Sequence, residues 1–188
     1  MNLVITLFSL FYLTNLYLVE LRTTRETLDY NSNHDILTGL YNRRFFEGIM
    51  KRSKEEKETS FSVAILDVDD FKKINDTYGH ETGDRVLATV SKCIETCLPQ
   101  DAVAVRWGGE EFVLYLPQLD GAQALDVLNA FRAKLSEQVI YHNDTRVSIT
   151  VTIGLCTGDS IADYEEYLRQ ADEKLYWGKK HGKNQIVK

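Results

Sequence analysis

Three clusters of side chains in this chain have the types and spacing for chemistry. The first is RWGGEEF (106–112), in which two glycines and two adjacent carboxylates, Glu110 and Glu111, stand between short apolar runs. The second is DVDDFKK (67–73), where Asp67, Asp69 and Asp70 crowd the end of the apolar run FSVAIL and are followed by Lys72 and Lys73. The third, GKKHGKN (178–184), carries Lys179, Lys180 and Lys183 near the C-terminus. Carboxylates this close raise one another's pKa unless a cation compensates. A hard, oxygen-loving ion such as Mg²⁺ does so, because it accepts carboxylates, backbone carbonyls and phosphate oxygens in one coordination shell. Acids, a metal and a few lysines are recurring parts of phosphoryl and nucleotidyl transfer. Taken singly, each cluster also has an ordinary reading: a Gly-Gly hairpin with solvated glutamates, or lysines that complement the dipole at a helix end. The phosphate-loop pattern GxxxxGK[ST] is absent, so phosphate binding of that kind is excluded.

These clusters need a scaffold that brings distant residues together. FSVAIL (61–66) reads as a buried strand because it is almost continuously apolar. AVAVR (102–106) and EFVLYLP (111–117) flank the glycines as two strands of a hairpin, with Gly108 and Gly109 suited to positive φ at the turn's centre and Glu111 opening the return strand. Helical patterning covers 42–57, 83–97, 121–138 and 163–180, RVSITVTIGLC (146–156) alternates as a strand, and QIVK (185–188) closes as an edge. Helices interleaved with strands, one hairpin among them, predict an α/β (α+β) domain with a central mixed sheet surrounded by helices.

The chain's 188 residues allow one domain and an appendage. Hydrophobic content of 44% and only 2 prolines exclude a disordered chain. A net charge of -6 offers no general basic field, so no nucleic-acid partner is expected and any anionic ligand must be met by local cations. Cys93, Cys97 and Cys156 are odd in number and lack metal-ligand spacing, which points to reduced thiols.

Residues 1–19 (MNLVITLFSLFYLTNLYLV) contain no charged side chain and are apolar on every helix face. That length suits a transmembrane helix, and Arg22 and Arg25 behind it would leave the rest in the cytoplasm. A buried or coiled-coil helix is the alternative. Leu18, Leu21 and Leu28, with Arg25 at the remaining seam position, give residues 20–32 the pattern of a short linking helix where two chains could pair.

The ordered set DILTGLYNRRFF (35–46), DVDDFKKINDTYGHETGDRVL (67–87), RWGGEEF (106–112), SITVTIG (148–154) and ADEKLYWGKKHGKN (171–184) resembles the GGDEF family of diguanylate cyclases over residues 33–188. The resemblance implies a nucleotidyl-cyclase or polymerase-palm fold. It implies condensation of two GTP molecules into cyclic di-GMP with release of pyrophosphate, in a homodimer whose subunits each hold one GTP and face each other. The metal, Mg²⁺ or Mn²⁺ in its place, would be held by Asp67, the backbone carbonyl of Val68, Glu110 and Glu111. Glu110 would also assist deprotonation of the attacking hydroxyl, and Lys72 would stabilise transition-state charge. Substrate binding is implied for Asn75, His80, Asp84, Gly108, Gly109, Lys179 and Lys183: the two lysines on the terminal phosphates, Asn75 and Asp84 on guanine. A carboxylate suits guanine because N1–H and the exocyclic amine both donate, and adenine lacks that pair. Lys183 replaces an arginine common in the family and cannot make its bidentate phosphate contact. The family's inhibitory RxxD motif is replaced here by Pro99 and Ala102, so product inhibition through that motif is expected to be weak or absent. Together with the N-terminal span, the resemblance implies a bacterial inner-membrane protein with a cytoplasmic catalytic domain, or a cytoplasmic one if residues 1–19 do not span. The competing reading is a catalytically idle domain that binds GTP or cyclic di-GMP and signals through a partner.

Overall fold

The computed structural model describes residues 2–53 and 60–188. Two compact units result, Met1–His34 and Asp35–Lys188. The first is one helix, α1 (Asn2–Asn33). The second runs β1 (Tyr41–Asn42), α2 (Arg43–Ser53), β2 (Phe61–Val68), α3 (Phe71–Tyr78), α4 (His80–Cys97), β3 (Val103–Gly108), β4 (Glu111–Pro117), α5 (Gly121–Glu137), β5 (Ile140–His142), β6 (Thr145–Val147), β7 (Val151–Gly158), α6 (Tyr164–Lys180) and β8 (Ile186–Val187).

Six strands form one mixed sheet in the order β1-β3-β4-β2-β7-β8, and β5 and β6 form a separate pair. In β2 the period of two divides the side chains cleanly. Ala64, Leu66 and Val68 join α3, α4 and α5 in one core, whereas Phe61, Val63 and Ile65 join α2 and α6 in the other. Both faces are covered, which is why FSVAIL is apolar throughout rather than alternating. The expected mixed sheet surrounded by helices is the observed fold.

Gly154 in β7 lets α6 lie close. A Cβ there would stand 1.9 Å from the Ala171 carbonyl oxygen and 2.5 Å from the Leu175 backbone nitrogen, so only glycine permits this approach of helix to strand. The last turn of α6, with Lys179 and Lys180, is thereby brought to the sheet end where β2 finishes.

Several sequence expectations need correction. The stretch 146–156 is not one strand: it breaks between Val147 and Val151, where the Thr150 carbonyl accepts from the Asp69 N–H at 2.9 Å and the Thr150 hydroxyl donates to the Asp69 carboxylate at 2.8 Å. The helix expected over 42–57 is described as Arg43–Ser53, and 54–59 lie outside the described residues. The membrane span over 1–19 is not supported, nor is the inner-membrane location drawn from it. Among the described residues no helix is long and apolar enough to cross a membrane. The run is interrupted by Thr14 and Asn15 and followed at once by Glu20 and Arg22; Met1, where the expectation began, lies outside the described residues.

Candidate functional site

The site is built at the C-terminal end of β2 and the N-terminal end of β4. These strands are antiparallel neighbours with Asp67 directly opposite Glu111, and both residues have the parity of the α6 face. The hairpin between β3 and β4 sets their position. Gly108 pairs with Glu111 and the ladder shifts at Trp107, so the two central turn residues are Gly109 and Glu110 rather than the two glycines. Gly109 alone takes positive φ, at 52°. The Glu110 carbonyl accepts from the Val68 N–H at 3.3 Å, tying the turn to the last residue of β2.

Arg106 holds this turn from behind. Its Nε and Nη2 donate to the Gly109 carbonyl at 3.1 and 2.9 Å, and its Nη1 donates to both oxygens of Asp35 at 3.0 and 3.1 Å. Partial burial alone would raise the Asp35 pKa, but hydrogen bonds from Thr38 and Arg106 outweigh it and hold the carboxyl below the ordinary value. Both residues lie within motifs quoted above, yet neither was assigned a role there. No local spacing could have supplied it, because 71 positions separate the partners.

Asp67 is buried and its carboxylate meets the Lys179 ammonium at 2.8 Å. Its pKa is pushed up to about 6, first by burial, then against the pull of Lys179 by the charges of Glu110 and Glu111. Glu111 and Lys179 also line a cavity of about 350 Å³ with Asp172, Leu175 and Tyr176. Glu110 and Glu111 are half-buried, and their carboxylates receive no hydrogen bond among the described residues.

The donors present are hard oxygens of the kind a divalent cation takes, and Asp67 is raised first by its burial and only then by the neighbouring glutamate charges. The convergence is partial: among the described residues no three His, Cys, Asp or Glu side chains close into a ready metal cluster. Of the expected set, Asp67 and Glu111 stand opposite each other, Val68 follows Asp67 and Glu110 lies on the adjoining turn, while the Lys179 ammonium rests against Asp67.

The other acids of the second cluster do not join this site. Asp69 is buried and accepts from the Thr150 hydroxyl at 2.8 Å, the Thr152 hydroxyl at 2.6 Å and the Asn184 N–H at 3.0 Å. Asp70 takes the left-handed conformation, φ 55°, at the start of α3 and pairs with Lys183 at 2.7 Å. That hydrogen bond lowers the Asp70 pKa and raises that of Lys183. Lys183 is thus placed beside the end of β2, but on Asp70 and not on Asp67.

The residues expected to read guanine gather where α3 meets α4. Asn75 Oδ1 is buried without a hydrogen-bond partner among the described residues. It crowds Gly83, at which a Cβ would stand 1.9 Å away, and Asp84 follows on the exposed side of α4. His80 opens α4, one turn before Asp84. Lys72, His80 and Asp84 are exposed and have no ion pair or hydrogen bond through their side chains among the described residues. At the inhibitory-motif position, Ala102 donates its N–H to the Pro99 carbonyl at 3.1 Å, and neither side chain carries charge. All three cysteines are free thiols.

Comparison with known proteins gives a consistent result. The family described as "Diguanylate cyclase, GGDEF domain" matches residues 32–185. The chain is 32% identical over 173 residues to diguanylate cyclase DgcM of Escherichia coli strain K12, covering 90% of this chain and 42% of that protein. It is 31% identical over 182 residues to diguanylate cyclase A of Treponema denticola, covering 93% of this chain and 46% of that one. The chain therefore spans less than half the length of these curated relatives. Among solved structures, the coiled coil and GGDEF domain of DgcB from Caulobacter crescentus in complex with c-di-GMP aligns with TM-score 0.83 at 29% identity, over 93% of this chain and 94% of that one. Diguanylate cyclase SiaD from Pseudomonas aeruginosa, in complex with its activator SiaC, aligns with TM-score 0.80 at 32% identity, over 96% and 71%.

Proposed function

Because the chain belongs to the GGDEF family of diguanylate cyclase domains, we propose that it condenses two GTP molecules into cyclic di-GMP and pyrophosphate, as a homodimer with one GTP on each subunit. The observation that carries this reading is the Asp67–Glu111 pair facing each other at the strand ends, with Asp67 buried and a lysine already against it.

Each 3′-hydroxyl oxygen forms a bond to the α-phosphorus of the GTP on the facing subunit, the bond from that phosphorus to the bridging oxygen breaks, and pyrophosphate leaves. Glu110, on the turn and with its carboxylate free of hydrogen bonds among the described residues, takes the hydroxyl proton. Lys179 and Lys183 hold the terminal phosphates, which means exchanging Asp67 and Asp70 for phosphate oxygens. Lys72 is exposed beside the acids and stabilises charge on the transferred phosphoryl group. Asn75 and Asp84 read the guanine edge, Asn75 by turning its amide away from Gly83, where its oxygen is buried without a partner among the described residues. His80 and the backbone at Gly108 and Gly109 border the nucleotide. Asp67, Glu111 and the Val68 carbonyl, with Glu110 nearby, would hold Mg²⁺ or Mn²⁺, which neutralises phosphate charge when bound.

A pair of chains is supported by α1, on which Leu10, Phe11, Leu13, Leu16, Leu21 and Leu28 stand exposed in the single chain. Helices this apolar on their surface are covered by a partner in stable proteins.

The test is product formation by the full chain with GTP and Mg²⁺, beside Glu111→Ala. Cyclic di-GMP is expected from the wild type and at most a trace from the variant. GTP binding without product in the wild type would replace this reading with that of an idle nucleotide-binding module.

A further inference from the structure

A cavity of about 550 Å³ lies between α4 and α5, lined by residues that have no part in the site above. Its walls include the apolar surfaces of Cys93, Val139 and Ile140, and three cations reach it: Arg85 and Lys92 from α4, Lys134 from α5. Arg85 and Lys92 are seven residues apart, hence two turns along one helix face and about 10 Å apart along the axis. Lys134 enters from the opposite wall toward Cys93, whose thiol pKa is raised by burial and by Cys97 and drawn back by the Lys134 charge.

None of the three cations has an ion pair or a side-chain hydrogen bond among the described residues, and no carboxylate lines the cavity. In a chain with net charge -6 this is unusual, since acids to pair with lysines and arginines are in excess. Three like charges around one concavity repel one another unless an anion joins them. The volume falls within the roughly 300–1,000 Å³ of small-molecule pockets and is enclosed on two sides, which suits a small ligand better than a macromolecular surface. An apolar floor with a few charged groups at the rim takes a molecule with an apolar body and a compact anionic group. A phosphate monoester, with nearly two negative charges and three acceptor oxygens at neutral pH, matches cations that arrive from two directions.

We propose that the groove between α4 and α5 is a binding site for a small organic phosphate, its ring or chain resting on Cys93, Val139 and Ile140 and its phosphate held between Lys92, Lys134 and Arg85. The site is separate from the nucleotide site and does not depend on cyclase activity.

The probe is 1-naphthyl phosphate, titrated into the isotope-labelled full chain without Mg²⁺ and followed by amide chemical shifts. Saturable shifts at Cys93, Val139 and Ile140 are expected, with inorganic phosphate and 1-naphthol each binding at least about tenfold more weakly. Lys92→Glu/Lys134→Glu should weaken naphthyl phosphate at least about tenfold while its ligand-free spectrum stays that of the folded chain. Should that double variant fail to fold, the milder Arg85→Gln must still weaken binding measurably. Shifts confined to the neighbourhood of Lys179 and Lys183, unchanged affinity in a folded variant, or equal binding of 1-naphthol would each overturn the proposal.

Discussion

Asp67 and Asp69 stand two residues apart at the end of β2, and both are buried, at 6% and 7% exposure. Asp69 is fully engaged: two threonine hydroxyls and a backbone amide donate to it, so its negative charge is solvated by fixed protein dipoles. Asp67 lies beside Glu111 and near Glu110 with one lysine for relief, and it holds its proton far above the ordinary range. The difference separates structure from reactivity within one strand end. The acid whose needs the protein meets acts as a bolt, fastening β2 to β7 and to the loop that carries Lys183. The other acid, buried with only Lys179 as a partner, keeps its proton to a higher pH.

Replacing Asp67 gives the largest effect. Asp67→Asn should lower cyclase turnover about a thousandfold, because a carboxylate of a metal and phosphate site contributes several kcal/mol to the transition state. The same substitution should stabilise the chain at pH 7 in chelator. The native acid, with a pKa near 6 against 3.8, keeps a proton that the unfolded chain has already released. Stability of the wild type therefore falls as pH rises through that window, by up to roughly 3 kcal/mol. Urea melts from pH 4 to pH 7 should show the decline in wild type and its absence in the variant. A variant less stable than wild type at pH 7 would mean that Lys179 alone satisfies Asp67, and the contrast with Asp69 would disappear.

Asp69→Asn should act in the opposite sense. An amide oxygen can still accept from Thr150 and the Asn184 N–H, but its NH₂ then faces the Thr152 hydroxyl, which must reverse from donor to acceptor in a buried site. A loss of about 1–3 kcal/mol in unfolding free energy is expected, with KM for GTP raised more than kcat is lowered, since Lys183 lies in the loop that Asp69 pins. Equal losses in kcat for both aspartate variants would show that the two acids are not divided in this way.

The sequence made one half of this comparison visible. FSVAIL marked its own strand because both faces of β2 are buried, and the glycines of RWGGEEF marked a hairpin, although the β-bulge at Trp107 moved the turn's centre by one residue. The family motifs then named Asp67, Glu110 and Glu111 together. What stayed hidden rests on long-range contact. The partners of Asp69 lie 81, 83 and 115 residues away, and Arg106 lies 71 from Asp35, so no local pattern could distinguish a bolted aspartate from a reactive one. The helix α3 was missed for a local reason. FKKINDTY is short and mixes apolar, charged and small side chains; Asp70 is a favoured cap residue type but adopts the left-handed conformation without a side-chain cap, and Lys73 stands where a capping-box Glu or Gln would be. The two-strand pair at 140–147 was hidden in the same way, because RVSITVTIGLC alternates smoothly across the break that Asp69 imposes.

A smaller change sharpens the contrast between satisfied and waiting groups at the other end of the site. The Asn75 acceptor is buried without a partner among the described residues and fits only because Gly83 has no side chain. Gly83→Ala would place a methyl 1.9 Å from that oxygen and 3.2 Å from the Phe71 ring edge, so the amide must rotate or α4 must shift. Within a helix, alanine gains about 1 kcal/mol over glycine in propensity, whereas overpacking costs about 1–3 kcal/mol. The net change in stability should therefore be small, within about 2 kcal/mol. Recognition should suffer more, since a methyl at Gly83 displaces the Asn75 amide that turns to meet the nucleobase. The expected result is a GTP affinity about tenfold weaker, with part of the preference over ATP lost and Asp67 titrating as before, read from nucleotide binding and from the pH dependence of the melt. Unchanged nucleotide preference in a folded Gly83→Ala chain would place the Asn75 oxygen among the structural groups with Asp69, not among those that await a ligand.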